Sequence, residues 1–391
     1  MRIILCNKFY YRRGGDCVYM MELENILKQH GHNVAVFAMQ YPQNNNSEWE
    51  HYFPSEVSFA VGKNLIKSVS RPIYSHEVKH KFTQLIDDFK PDIVHLNNIH
   101  SQLSPIIAKI AHKKNIKVVW TLHDYKLLCP RYDCLQNGHN VCEECFKDKR
   151  AVLKHSCMKS SLFASIIAYW EARKWNREKL ETYTDRYICP SQFMADKMIQ
   201  GGFIKRPMNV LCNFIDSNKC KKESYVKGDY YCYVGRLSHE KGIKTLIKAA
   251  NELQYKLVII GGGPLADVLK SMAKDHVEFV GFKQWYEIKE LVGNAKFSVI
   301  PSEWYENNPI SVIESKCLGT PVLGARIGGI PELIDEGKSG MTFASRDVDD
   351  LKSKIISMWN TTWDYEKIAF QAQEKYSAES YYQQLMNVYI R

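Results

Sequence analysis

The chain has 391 residues, too many for one ordinary domain and comfortable for two. Hydrophobic residues make up 45% of it and charged ones 25%, with no long biased tract, which excludes a disordered or low-complexity protein. The formal charge of +10 sits entirely in residues 1–206, which carry 30 basic and 20 acidic side chains, while residues 207–391 balance at 23 and 23.

A basic half points to an anionic partner, whether a phosphorylated ligand, an acidic membrane surface or nucleic acid. No apolar run is long enough to span a membrane, and Ile3–Cys6 is too short for a secretory signal, so a cytoplasmic protein is expected. Seven dispersed cysteines (Cys6, Cys17, Cys189, Cys212, Cys220, Cys232 and Cys317) read as small core residues of a reducing compartment. The other five crowd into residues 129–157.

In chain order, the first half offers strands at Ile3–Cys6, Val34–Met39, Asp92–Asn97, Val118–Leu122 and Tyr187–Pro190, with helices near 16–30, 76–89, 104–114 and 160–183. The second half offers strands at Tyr230–Val234, Leu257–Ile260, Val277–Val280, Phe297–Ile300 and Pro321–Leu323. Its helices fall near 242–253, 264–274, 284–293, 309–318 and 348–358. Apolar strands without strict alternation, separated by amphipathic helices, predict parallel sheets covered on both faces. Two such series in tandem predict an α/β protein of two doubly wound, Rossmann-like domains. The seam is expected within 203–229, and the segment Ser377–Ile390 has the spacing of one more helix that could complete either domain.

In open α/β sheets ligands bind beyond the carboxyl ends of the strands, so the loops there hold the candidate chemistry. The first, Asn7–Gly15, ends in Gly14-Gly15, with Asp16 placed to cap the next helix. Two glycines before a helix N-terminus let backbone N–H groups approach an anion, against the plainer reading of a flexible turn. His123 ends another strand, where an imidazole can meet a sugar hydroxyl or simply serve the structure. Cys129, Cys134, Cys142 and Cys145 have the content of a four-thiolate structural zinc site, with Cys157, His139 and His155 nearby. Unligated thiols, or a disulfide under oxidation, are the alternatives. The segment Ser160–Thr184 mixes Phe163, Ile166, Ile167, Trp170 and Trp175 with Arg173, Lys174, Arg177 and Lys179, which suits either a membrane interface or a core-packed helix with a basic face.

In the second half, Gly235–Gly242 follows a strand and holds Arg236 and Lys241, a fork and a point charge able to reach a diphosphate. The stretch Ser302–Glu314 places Asn308 as a helix cap and Pro309 as the first helical residue, leaving the N–H groups of Ile310 and Ser311 for an anion. Glu306 and Glu314 are candidate acceptors for sugar and ribose hydroxyls, against a capping acid and a surface ion pair. Gly328-Gly329-Ile330-Pro331-Glu332 is a strand-to-helix turn whose glycines permit close approach. Asp347-Val348-Asp349 reads as helix capping, not as a metal motif.

Together, Gly235-Arg236-Leu237, Glu240-Lys241-Gly242, the Glu306/Glu314 pair and Gly328–Glu332 resemble the signature of retaining glycosyltransferases of family four, of the kind that builds bacterial cell-surface polysaccharide. The resemblance implies a GT-B fold, two facing Rossmann-like domains with a cleft between them. It implies an acceptor-binding domain of residues 1–206 plus a returning helix 377–391, with a Cys-rich insert at 129–157, and a nucleotide-sugar-binding domain of residues 207–376. It also implies that Arg236 and Lys241 hold the donor diphosphate, Glu314 the ribose and Glu306 the transferred sugar. His123 would face that sugar while Gly14 and Gly15 close on the phosphates. Catalysis would rest on His123, Glu306, Arg236 and Lys241, with donor contacts from Asn308, Ile310 and Ser311 as well. Many members have Gly where Pro309 stands, so one backbone donor is missing here, and Ser315 replaces a common Ala.

The implied partners are a UDP- or GDP-sugar and a glycan or polyprenyl-diphosphate-linked acceptor, with peripheral contact to an anionic membrane at its cytoplasmic face. No catalytic metal is expected, the cationic side chains taking its place. Two alternatives are a zinc-bearing basic nucleic-acid-binding protein and a nucleotide-sugar-binding relative without transfer activity. The first leaves the Arg236/Lys241 and Glu306/Glu314 pattern unexplained, and nucleic acid is set aside as a partner.

Overall fold

Ile3, Ile4, Leu5 and Cys6 are all fully buried, a state that a strand reaches only when helices cover both faces of its sheet. The computed structural model describes residues 1–57 and 71–390 and divides into two compact units, Met1–Leu211 with Tyr382–Arg391, and Cys212–Tyr381. The sequence placed these divisions a few residues earlier, at 206 and 377.

In the first unit the strands are β1 (Arg2–Cys6), β2 (Asn33–Phe37), β3 (Ile93–Leu96), β4 (Lys117–Thr121), a hairpin of β5 (Leu135–Gln136) and β6 (Asn140–Val141), then β7 (Arg186–Cys189) and β8 (Met208–Val210). Six of them form one sheet in the order β2-β1-β3-β4-β7-β8, every neighbouring pair parallel. The order turns between β1 and β3, and a sheet of this kind binds ligands beyond the carboxyl ends of the strands at that turn. The last helix, Ala378–Ile390, packs its end on this unit. Tyr389 Oη lies 2.6 Å from His95 Nδ1, Lys117 Nζ donates to the Tyr389 carbonyl at 2.7 Å, and the Tyr382 ring stacks on His30.

The second unit contains β9 (Tyr231–Val234), β10 (Leu257–Ile260), β11 (Val277–Gly281), β12 (Ser298–Ile300), β13 (Val322–Ala325) and β14 (Gly340–Phe343). Their order, β11-β10-β9-β12-β13-β14, is that of the dinucleotide-binding Rossmann sheet, and it reverses between β9 and β12. Two apolar layers sandwich this sheet, one holding Leu246, Ile259, Phe297 and Ile355, the other Val258, Ile300, Val312, Ile313 and Leu318.

Several elements differ from their sequence reading. The stretch 160–183 is two helices, Leu162–Lys174 and Arg177–Tyr183, because Asn176 turns out of the first and accepts from Lys179 N to cap the second. The strands β8 and β14 and the helices Gln192–Gln200 and Tyr365–Lys375 carry too few contiguous apolar residues to stand out. Asp347 does cap its helix, accepting from Asp350 N at 2.9 Å.

Candidate active site

The reversal between β9 and β12 brings together the loops that follow them. After β9, Gly235 takes a positive φ and Tyr233 Oη donates to the Arg236 carbonyl, so the chain turns sharply as it leaves the sheet. Leu237 N donates to the Gly262 carbonyl, in a Gly261-Gly262-Gly263 run after β10. A Cβ on Gly261 would lie 2.0 Å from the Gly235 carbonyl oxygen and one on Gly263 2.5 Å from that of Leu237, so two of the three glycines are required by backbone contact. The sequence reading missed this run, although its place after the strand Leu257–Ile260 was a usable signal.

Lys241 and Glu306 form the central pair, with Nζ 2.6 Å from Oε1. The same oxygen accepts from Ser302 Oγ at 2.7 Å. Burial is the largest influence on Glu306 and raises its pKa, but the Lys241 charge and the donors around the carboxylate outweigh it and leave the pKa below the ordinary value. Glu306 is therefore ionised at neutral pH. Its backbone is clamped as well, since Gly329 N donates to its carbonyl at 2.7 Å. Gly328 has φ +61°, and a Cβ there would stand 2.2 Å from that carbonyl oxygen. The close approach expected of Gly328-Gly329 is thus made to Glu306 itself.

Arg236 is exposed and pairs with Glu240 at 2.5 Å, while its Nε donates to Ser238 Oγ. Arg236 and Lys241 are therefore each partnered by a carboxylate. A further acid, Glu303, accepts from Thr245 Oγ1 and lies 3.4 Å from Arg346.

The helix after β12 is Ile310–Cys317, and Pro309 is its extended cap residue rather than its first turn. Asn308 consequently does not cap it, contrary to the sequence reading. Its Oδ1 accepts from Asn213 N at 3.0 Å, and its carbonyl accepts from Asn213 Nδ2 at 2.8 Å, tying the helix entrance to the segment Cys212-Asn213. Ile310 and Ser311 occupy the first turn, where backbone N–H groups have no intrahelical acceptor. Glu314 lies one turn further on, half-buried, and burial pushes its carboxyl up to about 7. No side chain among the described residues bonds to it.

In the first unit Gly14 is the extended cap of helix Gly15–Gln29, and Asp16 stands in its first turn instead of capping it. Asp16 accepts from Asn98 Nδ2 at 3.1 Å, so a carboxylate already occupies this helix end. His123 follows β4, with Nε2 3.0 Å from Asn97 Oδ1 and the Tyr19 ring edge-on at 4.8 Å. Burial lowers its pKa to about 4, so the imidazole is neutral at physiological pH. Beside it Lys8 is lowered and Asp124 raised, each by burial first, and each is countered by the other's charge.

Among the described residues no three His, Cys, Asp or Glu side chains are arranged to hold a metal ion. Cys134 and Cys145 instead share hydrogen bonds with Cys129, which hold the Cys129 thiol well below its ordinary pKa, and Cys142 is half-exposed. Other contacts staple the insert. Arg131 donates to the Cys157 carbonyl at 2.7 Å and pairs with Asp133, His155 lies between Glu144 and Gln136, and Cys145, Ala151, Val152 and Cys157 make a small apolar cluster.

Residues 13–219 match the family model for Glycosyltransferase Family 4, and residues 214–375 match that for Glycosyl transferases group 1. An uncharacterized 42.6 kDa protein in the cps region of Klebsiella pneumoniae is 27% identical over 352 residues, 85% of this chain and 87% of that protein. The putative colanic acid biosynthesis glycosyltransferase WcaL of Salmonella typhimurium is 29% identical over 170 residues, 39% of this chain and 42% of WcaL. The crystal structure of HepE from Anabaena in complex with UDP aligns over 99% of both chains with a TM-score of 0.66 at 17% identity. That likeness and the two Rossmann-like sheets give the fold as GT-B.

Proposed function

The chain belongs to glycosyltransferase family 4, and from that premise we propose that it is a retaining, metal-independent transferase moving a hexose from a UDP- or GDP-sugar to a glycan or polyprenyl-diphosphate-linked acceptor in cell-surface polysaccharide synthesis. The observation that carries this reading is the group Lys241, Glu306 and Glu314 around the reversal of the second sheet. The UDP held by HepE and the cps and colanic acid settings of the relatives support the donor class and the pathway.

Breaking the bond between sugar and phosphate puts negative charge on the leaving diphosphate and positive charge on the sugar. Lys241, fixed by Glu306, and the first-turn N–H groups of Ile310 and Ser311 are preorganised for the anion. Arg236, exposed on its loop, can turn from Glu240 to a phosphate oxygen. Glu306, ionised and anchored at its backbone, accepts from hydroxyls of the transferred sugar, and Glu314 meets the ribose. His123, neutral, offers a ring nitrogen to a sugar hydroxyl. In a retaining reaction without an enzyme nucleophile, the leaving phosphate oxygen takes the acceptor's proton as the new bond forms on the same face.

Lys241→Ala tests the assignment. It should lower kcat/KM by roughly a hundredfold or more and weaken nucleotide-sugar binding, read by thermal shift against a donor panel. Normal kinetics in this variant would sink the reading.

A further inference from the structure

Helix Leu162–Lys174 is built inside out. Its buried side chains are Ser165, Ala168 and Glu171, while Leu162, Phe163, Ile166 and Trp170 are 56%, 58%, 38% and 54% exposed. At about 100° per residue these four fall within a single arc of the helix, extended at its C-terminal end by Arg173 and Lys174. A helix that served only to cover a core would be turned the other way.

The helix cannot roll to hide this face, because polar contacts fix its inner side. Glu171 accepts from Ser101 N and Oγ at 3.0 Å and pairs with Lys126 at 2.9 Å. Ser165 Oγ donates to the Ser161 carbonyl and accepts from Met158 N, and Ser161 caps the first turn by accepting from Ala164 N. Rotation would break the buried Glu171–Lys126 pair and leave its charges and the Ser101 donors unpartnered.

The exposed charges around the stripe are predominantly positive. Within residues 151–180 the acidic side chains are Glu171, which is buried, and Glu178, against exposed Lys154, Lys159, Arg173, Lys174, Arg177 and Lys179. A second copy of this chain would set these cations against its own, which disfavours self-association. Exposed aromatic and aliphatic side chains bordered by Lys and Arg match an anionic lipid surface, whose headgroups take the cations while the rings enter the acyl boundary. No helix among the described residues is long and apolar enough to cross a membrane, so the contact is with one leaflet.

We propose that helix Leu162–Lys174 docks this protein on an anionic lipid surface, with Phe163, Ile166 and Trp170 inserted and Arg173 and Lys174 at the headgroups. The inference does not depend on the transfer reaction, only on this face.

The test is flotation of the full chain with vesicles of phosphatidylglycerol mixed into phosphatidylcholine, and with phosphatidylcholine alone. The protein should float with the mixed vesicles and much less with the neutral ones, and added salt should release it. Phe163→Ser with Trp170→Ser, and separately Arg173→Glu with Lys174→Glu, should each weaken binding by roughly tenfold or more while leaving the melting temperature unchanged. Nucleotide-sugar thermal shifts should be the same in all variants, which separates failure here from failure of the transferase reading. Absence of flotation, equal flotation with neutral vesicles, or unaltered binding by both double variants would overturn the proposal. So would a dimer in sedimentation velocity that Phe163→Ser with Trp170→Ser dissociates.

Discussion

Replacing Glu314 by Gln should stabilise the protein, and by an amount that depends on pH. Burial raises this carboxyl from its ordinary 4.5 to about 7, so the folded protein holds a proton that the unfolded chain releases. Stability therefore falls as pH rises from near the unfolded value to near the folded one, and the loss is complete above about pH 7. A shift of this size corresponds to about 3.5 kcal/mol at most, since each unit is worth about 1.4 kcal/mol. Glutamine keeps the shape and carries no charge, so Glu314→Gln should match the wild type near pH 4.5 and melt higher by several degrees at pH 8, at about 2–4 °C per kcal/mol. Thermal unfolding from pH 4 to pH 8, without nucleotide, reads the difference. A constant offset across that range, or no offset at pH 8, would show that Glu314 ionises like an exposed acid and would remove the argument for its protected place.

Gly328→Ala should destabilise by about 1–2 kcal/mol from its positive φ alone, with more from the contact with the Glu306 carbonyl, and transfer should fall with it. Urea unfolding and kcat/KM check both, and an unchanged variant would refute the clamp. Asn308→Ala should cost about 1–3 kcal/mol by leaving the Asn213 N–H without its acceptor, whereas Asn308→Asp, which keeps the acceptor oxygen, should cost less. Equal losses in a denaturation series would mean that the side-chain amide and not its oxygen matters.

How far the fold could be read from the chain depended on burial. The central strands of both sheets are continuous apolar runs, and Ile3–Cys6 or Leu257–Ile260 can hardly be anything else. The outer strands β8 and β14 are short, and Met208-Asn209-Val210 is only half-covered, so it carries no such signature. Arg236, Lys241, Glu306 and Glu314 stand out in the sequence because they lie in the segments that follow β9 and β12. What a linear pattern could not show was their pairing, since Lys241 and Glu306 meet across 65 positions. Asn308 illustrates the same limit: a residue of capping type before a helix found better partners in Asn213, 95 positions away. Helix Leu162–Lys174 was ambiguous in sequence for a related reason, because its composition suits a core or a membrane equally and only the anchoring of Glu171 decides which face turns inward.

The pairing also changes how the two cations would act on a diphosphate. Free in solvent, Arg236 and Lys241 would have to be ordered by the donor; partnered, they are already placed. The two pairs differ in what it takes to rearrange them. Arg236–Glu240 is exposed on the arginine side, and such a pair is worth about 0–1 kcal/mol, so the guanidinium can leave it for a phosphate with little loss. Lys241–Glu306 is largely buried, and separating it would strand a charge at a cost of about 3–5 kcal/mol. The economical arrangement keeps Lys241 on Glu306 and lets a spare ammonium hydrogen reach the leaving oxygen, with Arg236 closing from outside. In the proposed reaction Glu306 would both hold the lysine where charge develops and accept from the sugar. Gly328 and Gly329, which clamp the Glu306 backbone, would keep both contacts in place, because any drift of that residue would displace the cation and the sugar together.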